Sequence, residues 1–242
     1  MTEVTAALRA EFAPTGTLRV GLNMSNFLLT RTEVGKPRGV AHDLGVELAR
    51  RLGVPVEMVP LPNPGALADA AAKNVWDVGF LGAEPARANE IDFTAAYVEI
   101  DSTYLVQPGS ALKHAGEVDR KGVRIIVPEK AAYELYLSRT IKNAELIKDK
   151  GGDLCFERFV DEKFDALAGL KPRLLSDQAK LPGSRIVEGR FTAVQQAAGV
   201  PKGRPNAAKY LAAFIEDVKA SGLVAKAIKD NNVIGLTIAA AA

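Results

Sequence analysis

Cysteine and histidine are scarce in this sequence. Cys155 is the only cysteine, and His42 and His114 are the only histidines. A single cysteine excludes an intrachain disulfide and a thiolate metal cluster. The two histidines lie far apart and neither has a partner at metal-ligand spacing, so neither a zinc site nor any other cofactor is expected. A Ser-His-Asp triad would need one of them, and the sequence contains no G-x-S-x-G motif.

An excess of one charge and long apolar runs are also lacking. The chain has 31 basic and 29 acidic residues and no basic stripe, so nucleic-acid binding is not expected. No apolar run approaches the ~20 residues that cross a bilayer, so no transmembrane segment is expected. The N-terminus carries Glu3, Arg9 and Glu11 where a signal peptide would be apolar. This start predicts either a cytoplasmic protein or one whose leader has been replaced.

The hydrophobic pattern of the first hundred residues predicts a parallel sheet. Apolar residues alternate in residues 17–23, as in a strand, whereas Leu44, Leu48 and Leu52 share one face of a helix that Gly53 ends. Strands alternating with helices indicate a parallel sheet with helices on its faces. The predicted elements are strands at 17–23, 56–59 and 78–81 and helices at 40–52 and 67–73.

The remaining sequence predicts a second, smaller α/β block and two closing helices. The predicted strands are 123–127, 154–159, 184–187 and 191–200, and the predicted helices are 131–148, 161–167, 206–220 and 223–229. The last two helices need an apolar surface to cover, so we assign them to the first block. Lobe 1 is then 1–99 plus 193–242 and lobe 2 is 100–192. The chain crosses between lobes near 98–102 and near 188–192, which predicts a hinge that closes on a ligand.

Residues 76–106 contain the strongest local signal for a binding site. The predicted strand Val78–Leu81 runs into Gly82-Ala83-Glu84-Pro85, and Pro85 is suited to the first position of a helix. Free N–H groups at a helix start bind anions, and Arg87 in the first turn adds two donors that fit a carboxylate. The alternative is a surface arginine paired with Asp92 or Glu90.

Five segments carry a family resemblance: GTLRVGLN, GVAHDLGVELARRLGV, WDVGFLGAEPARANEIDFTAAY, AGVPKG and AAFIEDVKASGLVAKAIKDN. Together they resemble family 3 of the extracellular solute-binding proteins, the amino-acid-binding components of ABC importers. The resemblance extends over about residues 16–235, is strongest in lobe 1, and implies an α/β, two-lobed type II periplasmic-binding-protein-like fold. Each lobe would be a central mixed sheet flanked by helices, with two hinge crossings. The resemblance also implies a non-enzymatic, monomeric, periplasmic protein that binds an amino acid or a related carboxylate and delivers it to an ABC permease.

The resemblance also implies which residues touch the ligand. Arg87 would pair with a ligand carboxylate, and residues from the first strand end and from lobe 2 would complete the site. Alternatives remain for several of them: Asn23 and Asn26 could bond their own backbone, Tyr133 could belong to the core, and Lys130 could be a solvated charge. The full set is Asn23, Asn26, Phe27, Gly82, Ala83, Glu84, Arg87, Lys130, Ala131 and Tyr133.

Departures from the family pattern leave the ligand and the activity open. Serine or threonine is usual where this chain has Gly82–Pro85, and only Asp165 stands near the place of the lobe 2 acid that receives a ligand ammonium. Glu84 could take the ammonium instead, or the ligand could lack one. Two other functions are compatible with the scaffold. One is a dehydratase resembling cyclohexadienyl dehydratases, with Glu84 or Glu129 as general acid. The other is a cytoplasmic ligand-sensing module.

Overall fold

The computed structural model describes residues 3–242 and divides into two compact units. Unit 1 comprises residues up to Glu99 together with Gln195–Ala242, and unit 2 comprises Ile100–Val194. The strands are β1 Leu18–Asn23, β2 Arg31–Glu33, β3 Lys36–Arg38, β4 Val56–Leu61, β5 Val78–Gly82, β6 Ile91–Val106, β7 Arg124–Pro128, β8 Glu145–Asp149, β9 Ala166–Leu170, β10 Arg185–Ile186, β11 Thr192–Pro201 and β12 Thr237–Ile238. The helices are α1 Ala6–Phe12, α2 Val40–Leu52, α3 Pro64–Asp69, α4 Ala132–Thr140, α5 Gly152–Asp161, α6 Lys171–Lys180, α7 Pro205–Ala220 and α8 Leu223–Asp230.

Unit 1 is built on a mixed sheet in the order β4-β1-β5-β11-β6. Strands β4, β1 and β5 run parallel, and β11 runs antiparallel to β5. β12, which the sequence did not predict, adds to β6 through Thr237 and Ile238. The parallel order predicted for β1, β4 and β5 is therefore confirmed.

Local sequence signals explain the bounds of α2. Leu44, Leu48 and Leu52 are fully buried, as their spacing predicts. Gly53 ends the helix in the left-handed conformation with φ 67°, and its N–H bonds the carbonyl of Ala49. The predicted bounds of this helix are confirmed. Just before this helix, residues 31–38 form the β2–β3 hairpin, which the sequence analysis did not predict.

Trp76 fixes the packing of α3 onto the sheet. Its indole is fully buried and donates from Nε1 to the carbonyl oxygen of Leu67 at 2.9 Å. A Cβ at Gly21 would lie 2.9 Å from the indole and one at Gly79 would lie 3.0 Å from it, so the sheet must present glycine here. The side chain therefore holds α3 close to β1 and β5.

The strands of unit 2 follow the order β6-β9-β7-β8, with β10 also paired to β6. Strands β9, β7 and β8 run parallel, and β6 is antiparallel to β9. The long helix predicted for residues 131–148 is wrong: α4 ends at Thr140 and residues 145–149 are the edge strand β8. The carboxylate of Asp119 accepts from the N–H groups of Lys142, Asn143 and Ala144, so those groups cannot continue a helix.

Two further assignments in unit 2 are wrong. Residues 154–159, predicted as a strand, lie within α5, where Cys155 and Phe159 are buried one helical turn apart. Residues 161–167, predicted as a helix, contain the end of α5 and the start of β9, whose residues Ala166–Ala168 are buried between β6 and β7. Short apolar runs suit a buried strand and a buried helix equally, and the spatial neighbours decide between them.

Candidate functional site

The ends of two parallel strands bring the predicted residues of unit 1 to one edge of its sheet. Leu22 of β1 pairs with Phe80 of β5, so Asn23 and Gly82 both lie just beyond this pair. In an open α/β sheet, ligands bind outside the carboxyl ends of the strands. We call this edge, formed by residues 23–30 and 82–87, the unit 1 edge.

The segment after β5 is a series of turns rather than the predicted helix. Residues 85–90 form hydrogen-bonded turns in which the N–H of Arg87 bonds the carbonyl of Glu84 at 2.9 Å and that of Ile91 bonds the carbonyl of Arg87 at 3.1 Å. β6 begins at Ile91, directly after these turns. Anion binding at a helix N-terminus is therefore not available here, and the arginine side chain becomes the main cationic group of the loop.

Arg87 is a buried arginine, with 6% of its surface exposed. Its Nη1 donates to the carbonyl oxygen of Gly82 at 2.5 Å, which folds the side chain back over its own loop. This burial contradicts the alternative of a surface arginine, and of the two acids suggested as its partner, Asp92 pairs with Lys202 at 2.6 Å. A guanidinium held at the end of a buried strand is suited to bind a carboxylate.

Backbone contacts with β11 hold the rest of this loop. The N–H of Ala83 donates to the carbonyl oxygen of Gln195 at 2.8 Å, and Gly82 pairs with Gln196 in the antiparallel ladder. Glu84 is half-buried. The loop therefore presents one cation and one carboxylate from a firmly held backbone.

The loop after β1 is organised by its own asparagines. Asn23 and Asn26 are buried, with 8% and 6% exposed. The Oδ1 of Asn23 accepts from the N–H and the hydroxyl of Ser25, and the Oδ1 of Asn26 accepts from the N–H of Leu28. Among the described residues, neither amide nitrogen has an acceptor, so each side chain can both hold its loop and donate to a ligand. Phe27 is 48% exposed at the same loop.

Thr30 is a positioning residue that the sequence did not reveal. Its buried hydroxyl lies 2.6 Å from the carbonyl oxygen of Asn23 and 3.1 Å from that of Asn26, which closes the loop. Gly39 allows the same loop to rest on the start of α2, because a Cβ there would overlap the carbonyl of Leu29. No local spacing marks Thr30, since its partners are seven and four positions away.

The three residues predicted from lobe 2 lie at the carboxyl end of β7 in unit 2. Lys130 is exposed and has a left-handed backbone with φ 58°, and Ala131 is the N-cap of α4. Tyr133 is half-buried and packs against the core cluster around Tyr104, and this burial raises the pKa of its hydroxyl. The core interpretation thus accounts for part of the tyrosine, and of the other two residues Lys130 is exposed whereas Ala131 is buried.

Glu134 holds that loop and was also missed. It is 2% exposed, and its carboxylate accepts from the N–H of Lys130 at 2.8 Å, the hydroxyl of Ser138 at 2.5 Å and the ammonium of Lys148 at 2.8 Å. Desolvation opposes its ionisation most strongly, but these hydrogen bonds together keep the pKa of Glu134 below its usual value. The carboxylate is therefore charged at neutral pH.

Asp165 lies at the wrong end of its strand to meet a ligand at this loop. It precedes β9, and its carboxylate accepts from the N–H of Arg124 at the start of β7 at 2.8 Å. β7 and β9 are parallel, so this contact is at the edge opposite to Lys130. Asp165 anchors β7 to β9 and does not stand in for the family's ammonium-binding acid.

Within residues 3–242, no group of three His, Cys, Asp or Glu side chains is placed to hold a metal ion. None of the helices in that range combines the length and apolar character of a membrane span.

Comparison with known sequences places the fold and site in context. The model of the bacterial extracellular solute-binding proteins, family 3, matches residues 18–231. No curated protein sequence matches the chain significantly.

Several solved structures have the same fold. The ancestral amino-acid-binding protein AncCDT-1, a precursor of cyclohexadienyl dehydratase, is 24% identical with a TM-score of 0.73, covering 93% of this chain and 99% of its own. A putative ABC-transporter binding component from Wolinella succinogenes, complexed with lysine, is 20% identical with a TM-score of 0.75, covering 89% of this chain and 95% of its own. An amino acid ABC transporter substrate-binding protein from Streptococcus pneumoniae, bound to L-arginine, is 18% identical with a TM-score of 0.74, covering 97% of this chain and 100% of its own. The chain therefore has the type II periplasmic-binding-protein fold.

Proposed function

This chain belongs to family 3 of the bacterial extracellular solute-binding proteins, and we propose that it binds a small carboxylate-bearing metabolite, an amino acid or a relative of one. It would serve as the substrate-binding component of an ABC-type uptake system. The lysine complex from Wolinella succinogenes and the L-arginine complex from Streptococcus pneumoniae support this class of ligand.

The observation that carries the proposal is the buried guanidinium of Arg87 at the unit 1 edge. A carboxylate loses much hydration free energy on burial unless it is paired with a cation and hydrogen-bonded. Arg87 supplies a planar pair of donors, and the contact of Nη1 with Gly82 holds that plane in place before any ligand arrives. The amide nitrogens of Asn23 and Asn26 lie on the neighbouring strand end and add neutral donors.

Binding would proceed in two steps. The ligand docks first on unit 1 through Arg87, and unit 2 then closes over it, with Lys130, Ala131 and Tyr133 contributing from the loop after β7. The two segments that connect the units, within β6 and β11, would act as the hinge. The ligand favours closure because it contacts unit 2 only in the closed form and therefore binds that form more tightly.

Glu84 is the proposed acceptor for a ligand ammonium. It lies three residues before Arg87 in the loop that Gln195 and Gln196 hold. Asp165, the alternative suggested by the sequence, anchors the opposite edge of unit 2. An acid and an arginine three residues apart provide complementary charges for an α-amino acid.

A thermal-shift screen tests the function and identifies the ligand. The panel contains the proteinogenic amino acids, aromatic carboxylic acids and dicarboxylates. We expect at least one α-amino acid to stabilise the protein by ~2.7 kcal/mol at 100 times its dissociation constant, which is a rise in Tm of roughly 5–10 °C for a chain of this size. A panel in which no carboxylate raises Tm would contradict the proposed function.

The transport context suggests a permease as partner and an extracellular or periplasmic location, as for the family. A retained ligand sensor is the alternative. The two differ in the partner that co-purifies with the liganded protein: a membrane permease in the first case and a regulator in the second.

A dehydratase is the second candidate function, because one similar structure is an ancestral binding protein described as a precursor of cyclohexadienyl dehydratase. The half-buried Glu84 and the exposed Glu129 are the acids that such chemistry could use. We expect no release of carbon dioxide and water from prephenate or arogenate above the uncatalysed rate. Turnover that Glu84→Gln abolishes would instead assign the enzymatic function.

A further inference from the structure

The loop after β7 adopts a backbone conformation that its sequence does not favour. Lys130 has φ 58°, in the left-handed region where a side chain clashes with the backbone and which glycine adopts freely. Such strain persists only where surrounding contacts impose it, and it is concentrated at functional sites. The N–H of Lys130 donates to the carboxylate of Glu134 at 2.8 Å, and the preceding N–H, of Glu129, donates to the carbonyl oxygen of Asp149 at 2.8 Å.

Glu134 differs from an ordinary helix cap. A carboxylate at the third position of a helix usually reaches back to the N-cap residue. The N-cap of α4 is Ala131, and the carboxylate bonds Lys130, one residue further back. The N–H groups of Ala131, Ala132 and Tyr133 have no hydrogen-bond partner within the described chain, as is usual at a helix start, so they remain available.

The composition of this loop makes its backbone placement decisive. Ala131 and Ala132 carry only methyl groups, so beside the side chains of Glu129 and Lys130 the loop offers a ligand only its backbone N–H groups. Their direction is set by the turn at Lys130, whose N–H donates to Oε2 of Glu134, while Ser138 and Lys148 both hold Oε1 of the same carboxylate. A network that is fully hydrogen-bonded in a buried setting is rigid.

We propose that Glu134 is the positioning residue of the unit 2 binding loop, holding Glu129–Ala131 in the conformation that receives the ligand. This inference rests on the proposed function, since it assigns the loop a role in ligand binding. Glu134 does not touch the ligand itself. It acts through the backbone of Lys130.

The primary test is a pair of isosteric variants in unit 2. Glu134→Gln keeps the shape of the side chain but replaces one carboxylate oxygen with an NH2 group. This group cannot accept a hydrogen bond from the donors that surround the carboxylate. Asp119→Asn is the matched control, because Asp119 also holds a backbone loop through its carboxylate but contacts residues 142–144, which precede β8. By calorimetry with the best ligand of the screen, we expect Glu134→Gln to weaken binding about 10-fold and Asp119→Asn to leave affinity within about twofold. Equal effects of the two variants, or no effect of Glu134→Gln, would overturn the proposal.

A double-mutant cycle with Lys130→Gly separates positioning from general stability. Glycine adopts the turn without strain, so Glu134→Gln should weaken ligand binding less in the Lys130→Gly background than in the original protein. An undiminished effect in that background would contradict positioning through Lys130.

Amide exchange provides a readout that needs no ligand. The N–H of Lys130 should be protected in the original protein and should lose at least about 10-fold of that protection in Glu134→Gln, because its acceptor is weakened. Unchanged exchange at Lys130 would sink the inference even if the protein binds a ligand. If no ligand binds but the exchange changes as expected, the proposed function fails while the role of Glu134 in holding the loop stands.

Discussion

Arg87→Ala is expected to abolish ligand binding, with a loss of at least ~100-fold in affinity. Removing one partner of a buried, hydrogen-bonded charge pair costs about 2–5 kcal/mol, because the ligand carboxylate would be buried without a counterion. The measurement is calorimetric titration of the ligand identified in the thermal-shift screen. Unchanged affinity would contradict the site.

Two controls give the Arg87 result its meaning. Arg87→Lys retains the charge but loses the planar pair of donors, so its affinity should fall between those of the original protein and Arg87→Ala. Arg50→Ala removes an exposed arginine of α2 that pairs with Glu47, and its affinity should be unchanged. Arg87→Ala should remain folded, and the hydrogen bond from Arg87 to the neutral carbonyl of Gly82 contributes about 1 kcal/mol to stability.

Asp77→Ala is expected to cause the largest loss of stability. The side chain is fully buried, and its carboxylate accepts two hydrogen bonds from Arg19 at 2.9 Å and one from Arg204 at 2.9 Å. Removing it leaves two mostly buried guanidinium groups without their counterion, which costs about 3–5 kcal/mol. The Tm of the unfolding step that includes unit 1 should fall by roughly 10 °C.

Asp230→Ala is the matched control for this experiment. Asp230 also forms an ion pair in unit 1, but its partner Lys226 and Asp230 itself are both largely exposed on α8. Exposed pairs contribute less than about 1 kcal/mol, so Tm should fall by no more than a few degrees. Equal effects of the two variants would show that the buried cluster around Asp77 is not what holds β1, β5 and the start of α7 together.

Elements with strong local signals could be predicted from the sequence. The three leucines and Gly53 define α2, and the buried run of residues 78–82 defines β5. Unit 2 was less predictable because distant contacts decide its elements. α4 stops at Thr140 since Asp119, more than twenty positions earlier, takes the N–H groups of residues 142–144.

The candidate site was also predictable only where local sequence signals define it. The sequence placed Arg87 in the loop after β5, but its burial and its contact with Gly82 depend on the turns that replace the expected helix. Thr30 and Glu134 could not be found, because each acts on a residue whose position only the folded chain reveals. The ligand contacts of all ten predicted site residues remain predictions.

The central claim, that this protein recognises a carboxylate through Arg87, is tested most directly by titrating two forms of the same compound. One is the best α-amino acid of the screen and the other is its carboxamide, which has nearly the same shape but no negative charge. We predict that the acid binds and that the amide binds at least ~100-fold more weakly. The neutral amide does not supply the negative charge that the acid places opposite the buried guanidinium of Arg87. Equal affinity for acid and amide would contradict the account.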